Sequence, residues 1–259
     1  MFLDSMRLLA ERIVLRLGLY DPVRSLYQAA FNRSYRNHLR ERQQFFAPFI
    51  PRKGLVFDIG ANHGDLTLLF TRCGARVVAV EPNPPLAAKL RARFPLHEII
   101  EAAVSDQPGR ATLTLGTESY YSTIDNRWKP VVAERGRLSD RTVDVACTTL
   151  DALIARMGVP VFIKLDVEGH ELAALRGLTH AVNAVYFEYQ SPLLADADVA
   201  MTHLEHLAAY DFGLEVQGGM IRWGDRCSTL GEMRERAERG IGSGDVLARR
   251  RISRASPSA

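Results

Sequence analysis

From Gly54 onward, short runs of β-branched residues alternate with segments of helical spacing, and that alternation is the signature of βαβ units around a mostly parallel sheet. Leu55–Ile59, Val77–Val80 and Val161–Asp166 read as buried strands, with Ile99–Val104, Val185–Glu188, Leu214–Val216 and Met220–Trp223 as further ones. Ala111–Leu115 and Val143–Thr148 are less apolar and are expected near an edge or paired with each other. Helical spacing falls between the strands, near residues 65–73, 84–94, 171–178 and 199–210. The expected fold class is α/β, with helices on both faces of the sheet. At 259 residues such a domain buries enough surface to need no metal or disulfide staple.

Three segments are expected: a helical cap over 1–53, the α/β domain over 54–240 and a disordered basic tail over 241–259. Residues 1–53 contain ten Lys/Arg against four acids, and Asp21-Pro22 divides two helical stretches there. The first stretch is amphipathic and basic, which leaves peripheral contact with an anionic membrane as the rival to a plain cap. Asp4, Arg7, Glu11, Arg12 and Arg16 interrupt its apolar residues, so neither a membrane span nor a signal-peptide core is expected. The tail reads as disordered from its Gly, Ser and Arg content. A net charge of +3 gives no reason to expect nucleic acid. Cys73, Cys147 and Cys227 are odd in number and far apart, which points to a cytoplasmic protein without disulfides. Oligomeric state is not legible.

Val56-Phe-Asp-Ile-Gly-Ala-Asn-His-Gly64 runs from a strand through a glycine-bearing turn into a helix. Glycines let backbone approach a ligand, and the helix N-terminus offers unpaired N–H groups. The spacing is G-x-x-x-G rather than G-x-G-x-x-G. Together with the carboxylate of Asp58, it argues against a pyrophosphate and for a ligand that carries a cation. Glu81, about twenty residues after Gly60, ends the next strand where an acid can accept from both ribose hydroxyls. A ribose with a cation and no phosphate fits S-adenosylmethionine.

Four motifs in order, Asp58-x-Gly60-Ala-Asn62-x-Gly64, Glu81-Pro82-Asn83, Ala103-Val-Ser-Asp106 and Lys164-Leu-Asp166-Val-Glu168-Gly-His-Glu171, resemble those of FkbM-type methyltransferases over roughly residues 54–190. The resemblance implies a Rossmann-like class I methyltransferase fold with a seven-stranded sheet and S-adenosylmethionine as methyl donor. It also implies O-methylation of a small-molecule acceptor, a saccharide or polyketide-like hydroxyl. By the same carry-over, Asp58 and Gly60 hold the methionine end, with Asn62 and Gly64 completing that turn. Glu81 with Asn83 holds the ribose, and Ala103 and Val104 seat the adenine, whose amine Ser105 or Asp106 could bond.

Asp166, Glu168 and His170 lie at the end of the central strand, where open α/β sheets bind ligands. They are the expected catalytic residues: Asp166 beside the donor, and His170 or Glu168 as the base for a hydroxyl proton. Asp166, Glu168 and Glu188 could instead present oxygens to Mg²⁺, but the metal-free version is favoured. His63 is expected to shape the turn. Glu118–Ser122 and Trp128 offer aromatic faces to a sugar ring, with a lid or core packing as the alternative. The rival functions are a nicotinamide-dependent oxidoreductase and a non-catalytic, membrane-docked scaffold.

Overall fold

The computed structural model describes residues 33–216 and 220–251. Most of the expected N-terminal cap, including the basic amphipathic stretch, lies outside them; the helix Arg33–Phe46 is its described part. Among the described residues no helix is long and apolar enough to cross a membrane.

The strands are β1 (Leu55–Ile59), β2 (Arg76–Val80), β3 (Glu98–Ile100), β4 (Ala103–Val104), β5 (Gly109–Gly116) and β6 (Leu138–Thr148), then β7 (Phe162–Leu165), β8 (Ala184–Gln190), β9 (Tyr210–Val216), β10 (Met220–Gly224) and β11 (Ser243–Arg250). Eight of them form one twisted sheet in the order β10-β9-β11-β8-β7-β1-β2-β3, and β4-β6-β5 form a second, three-stranded sheet. The main sheet is parallel from β3 to β8 and antiparallel from β8 through β11 and β9 to β10. This is the Rossmann-like α/β architecture, with eight strands rather than the expected seven.

Two differences from the sequence reading have clear physical reasons. Residues 243–250 are not a disordered tail: β11 lies between β8 and β9, and Val246, Leu247 and Ala248 are wholly buried. Three apolar residues in a Gly- and Arg-rich stretch suffice there, because the neighbours on both sides supply the ladder. The expected single strand Ile99–Val104 is also divided. Glu98–Ile100 pairs with β2 in the main sheet, while Ala103–Val104 pairs with β6 in the second. Ala111–Leu115 and Val143–Thr148 do pair with each other, inside the antiparallel pair β5·β6.

Period-two alternation builds a core on each face of the main sheet. Leu55, Phe57, Ile59, Ile163, Leu165, Val185 and Phe187 point to one side, against Leu153, Leu175, Met201 and Leu204 from the helices. Val56, Val77, Phe162, Tyr186 and Leu247 point to the other, against Phe46 and Phe70. The Phe46 ring meets Phe70, Phe162 and Tyr186 edge-on at centroid separations of 5.3, 5.6 and 5.3 Å. The compact α/β unit therefore begins at Phe45, ahead of the boundary expected after residue 53.

Tyr210 ties the first residue of β9 to the loop before β8. Its hydroxyl donates to the Val182 carbonyl (2.7 Å) and accepts from the Val182 N–H (3.1 Å), all within the core. Tyr210→Phe leaves both backbone groups without a partner and is expected to cost roughly 1–3 kcal/mol. Denaturant titration reads this as a lower midpoint at unchanged slope; an unchanged midpoint contradicts it.

Candidate active site

The chain runs outward from β1 through β2 to β3 on one side and returns through β7 and β8 on the other, so the order reverses between β1 and β7. At such a switch point the loops after two neighbouring strands diverge and leave a crevice at their carboxyl ends. A pocket opens there. It is lined by Gly60 and Asn62 after β1, by Glu81 and Pro82 after β2, by Ala102–Val104, by Asp166–Glu168 after β7, and by Leu113, Ser119, Tyr120, Ser122 and Ile124.

The turn after β1 depends on backbone that only glycine adopts easily. Gly60 has φ 74°. A Cβ there would fall inside the Asp166 carbonyl oxygen, so β1 and β7 approach each other at this point without a side chain between them. Asn62 is a non-glycine residue at φ 49°, a conformation that costs energy and is held in place by its surroundings. Its N–H donates to Glu81 Oε2 (2.8 Å) and its side-chain oxygen accepts from Ser119 Oγ (2.8 Å). His63 joins the same contact through Nε2, 3.0 Å from Ser119 Oγ, and so does shape the turn.

Glu81 is 5% exposed. Its other oxygen, Oε1, accepts from the Asn83 N–H (2.9 Å), so both oxygens are anchored to backbone while the carboxyl faces the pocket. Burial pushes its pKa up, and the two N–H groups oppose that rise. A carboxyl group fixed at both oxygens, with lone pairs still turned to a cavity, suits two adjacent hydroxyl groups. Ala103 and Val104 give the apolar wall for a ring. The residues therefore fit the ribose and base of a nucleoside.

Several expected donor residues support the wall from behind rather than form it. Asp58 is fully buried and shares the Val56 face of β1. It accepts from Thr67 Oγ1 (2.5 Å) and lies 3.6 Å from Lys164 Nζ. Burial raises its pKa against the pull of Lys164 and Thr67. Gly64, at φ 81°, starts the helix Asp65–Arg72 and leaves room for Leu90 and Phe94 rather than for a ligand. Asn83 acts through Glu81. Ser105 and Asp106 do not line the pocket: Ser105 Oγ lies 3.0 Å from His170 Nε2 and donates to Asp106 Oδ1.

At the end of β7, Glu168 sits at φ 53° on the pocket wall. Its carbonyl accepts from Thr123 Oγ1 (2.7 Å), and Glu171 accepts from the Val167 N–H (2.9 Å) within the same turn. Burial first, then the Asp166 and Glu171 carboxylates, push the Glu168 carboxyl up to about 8. Burial likewise raises Glu171 to about 7, and Glu188 rises for the same reason and through its acidic neighbours. One oxygen each of Asp166, Glu168 and Glu188 comes within 4.8 Å of the others, so the three acids weighed for Mg²⁺ do converge. Burial is the first cause of the rise at Glu168 and Glu188, and the neighbouring carboxylates add to it.

His170 stands elsewhere than expected. It is not on the pocket wall, and both ring nitrogens are engaged, Nδ1 with Asp125 Oδ2 (3.3 Å) and Nε2 with Ser105 Oγ. Trp128 is 2% exposed and packs on Gly169, so it offers no face to a sugar. Thr67, Asp125 and the wall residues Leu113 and Ile124 escaped the sequence reading, and Lys164 entered it as the first residue of the fourth motif without a role of its own. Only Lys164 carried a signal, as the charged member of a strand that is otherwise apolar up to Asp166.

Residues 58–212, more than half of the chain, match the model of the methyltransferase FkbM domain. No curated protein matches. Among solved structures, the chain is similar to a TehB-like SAM-dependent methyltransferase from Corynebacterium glutamicum, at 10% identity and a TM-score of 0.43 over 90% of this chain and 96% of that one. A precorrin-6Y C5,15-methyltransferase from Geobacter metallireducens gives 10% and 0.38 over 81% and 87%. An SAM-dependent O-methyltransferase from Thermotoga maritima gives 10% and 0.39 over 83% and 67%. The assignment rests on the family model, and on that ground the chain belongs to the FkbM-type S-adenosylmethionine-dependent methyltransferases.

Proposed function

We propose that the chain is an O-methyltransferase acting on a hydroxyl of a saccharide or polyketide-like acceptor, with Glu168 as the proton acceptor. The observation that carries this reading is a carboxyl group on the donor-pocket wall whose pKa is raised to about 8, beside Asp166. When bound, S-adenosylmethionine supplies an electrophilic methyl group. Glu81 holds the ribose hydroxyls, Ala103 and Val104 the adenine, and Gly60 with Asp166 the amino-acid end. A hydroxyl is a poor nucleophile at neutral pH, and a carboxylate of ordinary pKa holds its proton weakly. Glu168 is tuned upward and so holds it better. His170, fixed between Asp125 and Ser105, keeps the turn in place. The free thiols of Cys73, Cys147 and Cys227 support a cytoplasmic setting.

The test is methyl transfer from labelled donor to a panel of sugar and polyketide alcohols. A base works when deprotonated, and a pKa raised to about 8 leaves Glu168 mostly protonated below that pH. Turnover per acceptor encounter is therefore expected to rise with pH up to about 8 and then level. Glu168→Gln is expected to lower turnover roughly 10²- to 10⁴-fold with donor affinity nearly intact. His170→Ala is expected to lower it less. Wild-type turnover in Glu168→Gln contradicts the assignment, and activity lost in EDTA and restored by Mg²⁺ reassigns the three carboxylates to a metal.

A further inference from the structure

Lys164 is 4% exposed at its side chain, in the middle of the main sheet. It faces Asp58 across the β1·β7 pairing. Its ammonium donates to the carbonyls of Gly60 (3.0 Å) and Ile59 (3.3 Å) and pairs with Asp166 Oδ2 (3.3 Å) and Asp58 Oδ1 (3.6 Å). Three of these partners, Ile59, Gly60 and Asp166, stand on the pocket wall, whereas Lys164 itself does not. Its four acceptors span the switch point between β1 and β7. We propose that Lys164 is a positioning residue for the amino-acid end of the methyl donor, holding the Gly60 carbonyl and the Asp166 carboxylate in the posture that receives it.

The inference rests on the reading of this pocket as the donor site. Asp166 has a side chain 44% exposed, and without a fixed partner it would turn freely toward solvent. Lys164 restrains it from below and leaves its outer lone pairs to the pocket. One buried ammonium shared between two carboxylates leaves Asp166 with negative charge to offer the ammonium group of that end. Burial works to discharge Lys164, but Asp166 and Asp58 outweigh it and the ammonium stays charged. Lysine suits the position because a compact ammonium on a flexible stem can serve carbonyls and carboxylates that do not share a plane.

A purely structural role, as counterion to Asp58, makes a different prediction, and two ligands separate the roles. S-adenosylhomocysteine carries the amino-acid tail; methylthioadenosine has the same nucleoside and thioether without it. In calorimetric titration of the full chain, Lys164→Met is expected to weaken S-adenosylhomocysteine by about ten-fold or more and methylthioadenosine by less than about two-fold. Asp58→Asn/Lys164→Met keeps shape without the buried charges, so it rescues the fold where the single variant melts early. The loss for S-adenosylhomocysteine is expected to persist in it. Asp166→Asn, at a half-exposed carboxylate, keeps the fold and is expected to show the same selectivity. An unchanged S-adenosylhomocysteine affinity in Lys164→Met, equal losses for both ligands in Asp166→Asn, or recovery in the double variant would each overturn the proposal. If neither ligand binds the wild-type chain, the donor reading fails instead.

Discussion

Gly60→Ala is expected to abolish donor binding. At φ 74° an alanine already pays the left-handed cost of about 1 kcal/mol. The larger effect is steric: the new Cβ would overlap the carbonyl oxygen and carbon of Asp166, which are backbone atoms just past the end of β7 and cannot rotate away. Relief requires β1 and β7 to separate at the switch point, which moves Asp166, Glu168 and the Lys164 contacts together. Gly136→Ala is the control, because Gly136 has φ 66° but nothing within 4 Å of an added Cβ. The control is expected to lose about 1 kcal/mol of stability and keep full donor affinity. Calorimetric titration of both variants with S-adenosylhomocysteine decides the matter. Retained affinity in a folded Gly60→Ala chain contradicts the close approach.

Glu81→Gln is expected to weaken the donor by about 10- to 100-fold, the loss from one or two charge-assisted hydrogen bonds of roughly 1.5–3 kcal/mol. The substitution keeps size and shape but replaces one acceptor oxygen with an N–H₂ group. Whichever way the amide turns, it faces a backbone donor, from Asn62 or from Asn83. With the N–H₂ group turned to Asn62, that residue loses a bond that holds it at φ 49°, and the turn above the donor loosens as well. Titration with donor and with methylthioadenosine should show comparable losses, since both carry the ribose. Equal affinity to wild type would place the ribose elsewhere.

The strand-turn-helix from Val56 to Gly64 and the acid at the end of β2 were legible because they are local. Spacing along a few residues fixes Gly60, Asn62 and Glu81, and these three line the pocket. Asp58 shows where locality runs out. Its parity with Val56 follows from the strand period, but its burial against Thr67 and Lys164, brought in from elsewhere in the chain, does not. The surroundings of His170 were not legible for a similar reason. Its partner Asp125 belongs to the β5–β6 connection, 45 residues earlier in the chain, and no pattern in sequence couples the two. The last strand, β11, was hidden by composition, since its burial is set by β8 and β9 and not by its own three apolar residues.

The donor is expected in the crevice between β1, β2 and β7, with its ribose on Glu81 and its amino-acid end on Gly60 and Asp166. A crystal structure of the chain with S-adenosylhomocysteine tests it most directly. Both ribose hydroxyls are expected within hydrogen-bond distance of the Glu81 carboxyl, adenine against Ala103 and Val104, and the ammonium at Asp166 above Lys164. A donor bound with its ribose away from Glu81, or with its amino-acid end turned from Asp166, would contradict it.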